Sequence, residues 1–117
     1  MPSETSIRTI ESDDYADIID SKGLVIVAMG AQWCGLWRAF LPTFADMAMM
    51  LENGDMAFVT CDLERNPAIA LLEGITRIPS IVMYRDGQRM GTHVGTMSEA
   101  ELLLSISEAL EPILRET

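Results

Sequence analysis

Hydrophobic and polar positions along the chain predict strands and helices in alternation. The continuous apolar run Leu24–Met29 is rich in β-branched residues, which is typical of a central strand covered on both faces. Apolar residues then recur at helical spacing over residues 37–51 and predict a helix that begins near Cys34 and that Pro42 kinks. Met56–Thr60 repeats the strand pattern, so a second strand is expected after this helix.

Capping residues predict two shorter helices. Ser12 precedes a segment whose apolar residues fall on one helical face, which predicts a short helix before the first strand run. Asn66 and Gly74 stand at the start and just past the end of another segment, and Pro67 occupies its first position. A helix is therefore expected after Met56–Thr60.

The last third of the chain carries a hairpin signal and a helix start. Asp86-Gly87 separates the strand-like segments 80–84 and 88–94, and Asp-Gly between strands favours an antiparallel hairpin. Ser98 and Glu101 have the spacing of a capping box. We therefore expect a C-terminal helix that closes the fold.

These elements predict an α/β fold in a single domain over residues 1–117. A strand near residues 6–10 comes first, which makes the order β-α-β-α-β-α-β-β-α. Such alternation implies a mixed five-stranded sheet with four helices on its two faces. The length of 117 residues allows one domain, and a hydrophobic content of 49% is enough for a core.

The net charge of the chain excludes some classes of binding partner. Eighteen acidic and eight basic residues give a net charge of −10, which excludes a nucleic-acid backbone and an anionic membrane surface as general partners. Most of this charge lies in the first 21 and last 20 residues, because residues 22–97 carry only −1. Acidity is thus expected on the terminal helices.

The number of cysteines and the length of the longest apolar run indicate the compartment in which the protein works. Cys34 and Cys61 are too few for a disulfide framework, and no signal-peptide pattern opens the chain, so a reducing cytoplasm is expected. Leu24–Met29 is far shorter than the ~20 residues that a membrane-spanning helix needs. His93 is the one histidine, so no metal-ligand set and no cofactor are predicted.

Candidate chemistry is concentrated in Trp33-Cys34-Gly35-Leu36-Trp37, at the junction of the central strand and its helix. A thiol at a helix N-terminus faces unpaired N–H groups and the positive end of the helix dipole, and both stabilise a thiolate. Cys34 is therefore a candidate nucleophile. The alternative is an inert buried cysteine.

Several segments resemble the thioredoxin family in order and spacing, over about residues 7–110. They are Ala31-Gln32-Trp33-Cys34-Gly35, Pro42, Arg77-Ile78-Pro79-Ser80, Asp86-Gly87 and Val94-Gly95. The resemblance implies the thioredoxin fold, a cis Ile78–Pro79 bond facing Cys34, and a groove in which the Ile78 backbone pairs with an extended peptide. Trp33, Ile78 and Gly95 would border this groove.

Three departures from the family pattern change the expected chemistry. Cys34-Gly35-Leu36-Trp37 stands where the family has Cys-Gly-Pro-Cys, so the second, resolving thiol is missing. The family's buried acid aligns with Ala28, and its neighbouring lysine aligns with Thr60. Because release of a mixed disulfide needs a second thiol, Cys34 alone performs only the first step. Cys61 is expected on the opposite face of the sheet, where a bridge to Cys34 is disfavoured.

Trp37 lies three residues after Cys34, on the same side of the helix, and two arrangements stay open. In the first, its indole fills the place of the missing thiol and shields Cys34, which would raise the pKa of the thiol by desolvation and make the site inert. In the second, it lies outward and widens an aromatic groove with Trp33. Arg38 and Arg77 are nearby cations that could stabilise a thiolate or hold a carboxylate of glutathione. The alternative is that each is an exposed residue that only aids solubility.

Two functional hypotheses follow. The first is monothiol thiol–disulfide exchange through Cys34 with a protein or glutathione partner, without dithiol reductase activity. The second is a redox-inactive peptide-binding module or assembly chaperone. The groove in either case would use Trp33, Trp37, Arg77, Ile78, Pro79 and Gly95.

Overall fold

A mixed five-stranded sheet with helices on both faces forms the centre of the computed structural model, which describes residues 8–10, 14–21 and 23–115. The predicted succession of elements is confirmed. Ser12 and the first residues of the predicted first strand lie outside the described residues. The elements are β1 (Arg8–Ile10), α1 (Tyr15–Ile19), β2 (Leu24–Gly30), α2 (Gly35–Leu51), β3 (Met56–Asp62), α3 (Pro67–Glu73), β4 (Ser80–Arg85), β5 (Gln88–Val94) and α4 (Glu99–Arg115).

Strand β2 occupies the middle of the sheet, whose order is β1-β3-β2-β4-β5. β1, β3 and β2 run parallel, while β4 is antiparallel to β2 and β5 is antiparallel to β4. Gly30 at the end of β2 lies beside Asp62, and Met29 pairs with Ser80 at the start of β4. The loops 31–34, 63–66 and 75–79 therefore meet at one edge of the sheet, which we call the site edge.

Each face of the sheet carries its own apolar core. Every residue of β2 is buried, as a continuous apolar run predicts for a strand with helices on both sides. Phe44 of α2 packs edge-on to Phe58 with ring centroids 5.4 Å apart, on the face that α4 also covers. Ile18 of α1 and Ile69 of α3 cover the other face. No helix in the described part of the chain is long and apolar enough to cross a membrane.

The hairpin and capping-box predictions are confirmed. Asp86 and Gly87 have φ angles of 53° and 85°, the left-handed values that a tight two-residue hairpin turn requires. The Glu101 N–H donates to Ser98 Oγ at 3.1 Å, and the Ser98 N–H donates to Glu101 Oε1 at 2.9 Å. Local signals therefore set both the β4–β5 turn and the start of α4.

The predicted side-chain cap of α3 and the predicted end of β3 differ from the structure. Asn66 stands at the N-cap of α3, but its side chain forms no capping hydrogen bond, because Nδ2 donates instead to the Asp62 carbonyl at 2.9 Å. β3 continues past Thr60 to Asp62, since pairing with β2 extends to its last residue. Gly74 does end α3 in the left-handed conformation, with φ 69°.

The two tyrosines of the chain meet on the face covered by α1 and α3. The hydroxyl oxygens of Tyr15 and Tyr84 are 2.6 Å apart, and both side chains are buried. Burial raises the pKa of each phenol, and the nearby Glu73 carboxylate raises both further. Glu73 is itself paired with Arg89 of β5 at 2.9 Å. This polar cluster joins α1, α3, β4 and β5.

Candidate functional site

Cys34 lies at the site edge as the N-cap residue of α2. Its backbone is extended, its N–H donates to the Ala31 carbonyl at 3.0 Å, and its carbonyl accepts the Arg38 N–H at 3.1 Å. The side chain is half-buried against the core beneath α2. The predicted position at the start of the helix is confirmed, because Cys34 directly precedes Gly35, the first residue of α2.

Trp37 points into the core and is only 5% exposed. Its ring occupies the space over Gly30, where a Cβ atom would stand 2.1 Å from the indole. The arrangement that widens an aromatic groove is therefore wrong, as is the prediction that Trp37 contacts a peptide. The indole lies inward, but Cys34 stays only half-buried, so the indole does not close this residue off from solvent. Gly30 has no side chain, so the α2 helix can approach the end of β2 with a buried indole between them.

Trp33 and Leu36 provide the exposed apolar surface around Cys34. Trp33 is 66% exposed and Leu36 is 63% exposed, one on each side of the cysteine. Leu36 stands where the family pattern has proline, and sequence reasoning did not assign it a role. The exposure of a large apolar residue beside Cys34 is the signal that would have marked it.

The loop before β4 lies at the same edge. The Ile78–Pro79 bond is cis, and the Pro79 carbonyl accepts the Gly95 N–H at 2.7 Å. Gly95 has φ 102°, a conformation that favours glycine. Within the described residues the main chain of Ile78 has no hydrogen-bond partner. Strand addition at Ile78, which the resemblance implies, would need such unpaired groups.

The two predicted cations, Arg38 and Arg77, lie at the site edge. Arg38 Nη1 donates to the Gln32 carbonyl at 2.7 Å, so the guanidinium lies against the loop that precedes Cys34. Arg77 is exposed, and its carbonyl accepts the Ser80 hydroxyl at 2.7 Å. Both remain candidates for holding a carboxylate. His93, in contrast, bonds through Nε2 to the Thr96 carbonyl at 3.2 Å.

The layer beneath Cys34 holds no ionisable side chain among the described residues. Ala28 and Thr60 are direct neighbours in the β2–β3 register, and both are buried in the place where the family pattern has an acid and a lysine. Cys61, one residue further, is fully buried in the core on the opposite face from Cys34. The predicted separation of the two thiols by the sheet is confirmed.

One cavity lies on the face of the sheet that α4 covers. It measures about 300 Å³ and opens between β5 and α4, next to Gly91 and Glu108. In the described residues no three His, Cys, Asp or Glu side chains are grouped closely enough to hold a metal ion. The exposed side chains of Trp33 and Leu36 make the surface around Cys34 open and apolar.

Comparison with known proteins agrees with the family resemblance seen in the sequence. Residues 6–108 match the Thioredoxin family model. The chain is 32% identical to a thioredoxin of Mycolicibacterium smegmatis over 114 residues, 94% of this chain and 100% of that protein. It is 31% identical to a thioredoxin of Streptomyces clavuligerus over 98 residues, 83% of this chain and 90% of that protein.

A solved structure shows the same architecture. Mitochondrial thioredoxin 3 of Saccharomyces cerevisiae, in its oxidized form, superposes with a TM-score of 0.79 at 26% identity. The superposition covers 91% of this chain and 98% of that one. The fold is therefore the thioredoxin fold. With the match to the family model, this places the chain in the thioredoxin family.

Proposed function

We propose that this protein carries out monothiol thiol–disulfide exchange through Cys34 with a protein or glutathione partner, and that it is not a dithiol reductase. The observation that carries the proposal is the packing of Trp37. An indole locked over Gly30 occupies the position of the resolving thiol, and Cys61 lies across the sheet. Cys34 therefore has no second thiol in the chain to release a mixed disulfide.

The expected step begins with attack of the Cys34 thiolate on one sulfur of glutathione disulfide. A new S–S bond forms, the old one breaks, and glutathione leaves as a thiolate, without net oxidation. No neighbouring thiol can displace the bound glutathione. The mixed disulfide should therefore persist until an external thiol is added.

Incubation of the reduced protein with glutathione disulfide is expected to add one glutathione per chain, measured by intact mass after removal of excess reagent. Cys34→Ser should abolish the adduct, whereas Cys61→Ser should retain it, because the Cys61 side chain is fully buried. An adduct on Cys61, or an internal disulfide in place of an adduct, would contradict the proposal.

A redox-inactive peptide-binding module remains the second candidate. It is favoured by the exposed Trp33 and Leu36 together with the unpaired main chain of Ile78 in the described structure. The test is capture of an extended peptide by the Cys34→Ala protein. Binding that survives this change and is lost in Trp33→Ala would support a binding module, and binding that needs the thiol would count against it.

The partner and compartment are proposed on chemical grounds. An open edge with apolar side chains suits a protein or peptide client. A net charge of −10 disfavours nucleic acid and anionic membranes as partners. We further propose that the protein works in the reducing cytoplasm, where thiols such as glutathione release mixed disulfides from Cys34.

A further inference from the structure

The Arg38 guanidinium lies close to the main chain on either side of Cys34, at Gln32 before it and at Gly35 after it. Nη1 donates to the Gln32 carbonyl at 2.7 Å, and Nη2 lies 3.9 Å from the position that a Cβ atom on Gly35 would occupy. Arg38 is also one helical turn from Cys34, through the hydrogen bond between its N–H and the Cys34 carbonyl. The cation is thus anchored beside the backbone that precedes and follows Cys34.

This cation has no carboxylate of its own in the part of the chain that the structure describes. The ion pair found there joins Arg89 to Glu73, on other elements. A guanidinium presents five N–H donors in a planar fork, and the one bond to Gln32 leaves most of them open to solvent. Such a fork matches the two oxygens of a carboxylate.

We propose that Arg38 makes Cys34 selective for disulfides that carry a carboxylate close to the reacting sulfur. This inference rests on the thiol exchange proposed above and names its substrate class. As the Cys34 thiolate attacks, the carboxylate of the incoming disulfide lies near the guanidinium and is stabilised, whereas an ammonium group is repelled. The exchange itself is unchanged: one S–S bond forms, one breaks, and the departing thiolate takes a proton from water.

Three model disulfides of different charge provide the test. They are 5,5′-dithiobis(2-nitrobenzoic acid), which is anionic, 2-hydroxyethyl disulfide, which is neutral, and cystamine, which is cationic. The rate at which each probe reacts with the protein is divided by the rate at which the same probe reacts with 2-mercaptoethanol. This ratio removes the intrinsic reactivity of the probe. The normalised rate is expected to be highest for the anionic probe and lowest for the cationic one, and added salt should reduce the difference.

Substitutions of Arg38 then test whether this residue causes the difference in rate between the probes. Arg38→Gln should lower the anionic-to-neutral rate ratio about two- to fivefold, the scale of an exposed charge pair. Arg38→Lys should restore part of the ratio, because it keeps the charge and loses the fork. Arg65→Gln makes the same change in net charge at an exposed position of the neighbouring loop and should leave the ratio as it is.

The outcomes separate this inference from the function on which it rests. Equal normalised rates for the three probes, or a ratio that Arg38→Gln does not change, would overturn the selectivity and leave thiol exchange standing. Equal slowing of all three probes in Arg38→Gln would also overturn it, since Arg38 would then act on the thiol in general. Failure of Cys34 to react with any probe would instead refute the exchange function.

Discussion

Replacing Trp37 with alanine is expected to lower the free energy of unfolding by about 3–5 kcal/mol, the range for removal of a large aromatic side chain from a core. The indole is buried and packs with Phe40 and Ala28 in the core beneath α2. Gly30, over which the indole lies, has no side chain that could fill the vacated space. Urea unfolding followed by circular dichroism measures the loss.

Gly30→Ala provides the matching change on the other side of this contact. Its added Cβ would stand 2.1 to 2.6 Å from three ring atoms of Trp37, so the substitution should destabilise the folded chain by about 1–3 kcal/mol through overpacking. In the Trp37→Ala background the same methyl group enters empty space. The double variant should therefore be more stable than the sum of the single effects predicts, by about 1 kcal/mol or more.

Gly91→Ala is the matched control for this cycle. It makes the same chemical change within a strand, but nothing lies within 4 Å of the added Cβ. We expect it to be neutral or stabilising, because alanine restricts the unfolded chain more than glycine does. Additive effects of Gly30→Ala and Trp37→Ala would show that the two residues do not pack against each other.

The protein is expected to lose stability steeply above about pH 10, because Tyr15 and Tyr84 have raised pKa values in the folded state. The unfolded chain releases these protons near pH 10, whereas the folded chain retains them. The contribution of the protonated pair to the free energy of unfolding is therefore fully present below about pH 10, and it is lost as the pH rises further. The loss approaches about 1.4 kcal/mol per tyrosine for each pH unit above that point.

Tyrosinate absorbance isolates this effect, since the chain contains two tyrosines and both belong to the pair. We expect the absorbance to rise together with unfolding rather than before it. Tyr84→Phe should reduce the slope of unfolding free energy against pH by about half. Ionisation near pH 10 in protein that still gives the folded circular dichroism spectrum would show that burial does not protect the phenols.

Local sequence signals determine much of the fold and were readable from the chain. Asp86-Gly87, the Ser98–Glu101 capping box and the apolar run of β2 each act through residues that are adjacent or nearly so. Asn66 shows the limit of such signals, because the Asp62 carbonyl of the preceding turn competes for its side chain. A capping propensity does not reveal which partner the side chain will take.

The site was predictable as to its residues and less so as to their orientation. Cys34, Ile78-Pro79 and Gly95 lie at one edge, as the family resemblance implied. The direction of Trp37 depends on a contact with Gly30 that only the approach of α2 to β2 creates. The Tyr15–Tyr84 pair likewise depends on tertiary packing between α1 and β4, so neither helical spacing nor composition revealed it.

Trp33 is exposed and Trp37 is buried, so the tryptophan fluorescence of the protein reports separately on the surface and on the core. A soluble quencher of indole fluorescence reaches Trp33, which is 66% exposed, and is kept from Trp37, which is 5% exposed. No other tryptophan contributes to the emission. The quenchable part of the signal therefore reports what occupies the surface beside Cys34, and the protected part reports the integrity of the core. Occupancy and folding can be followed in one unlabelled sample.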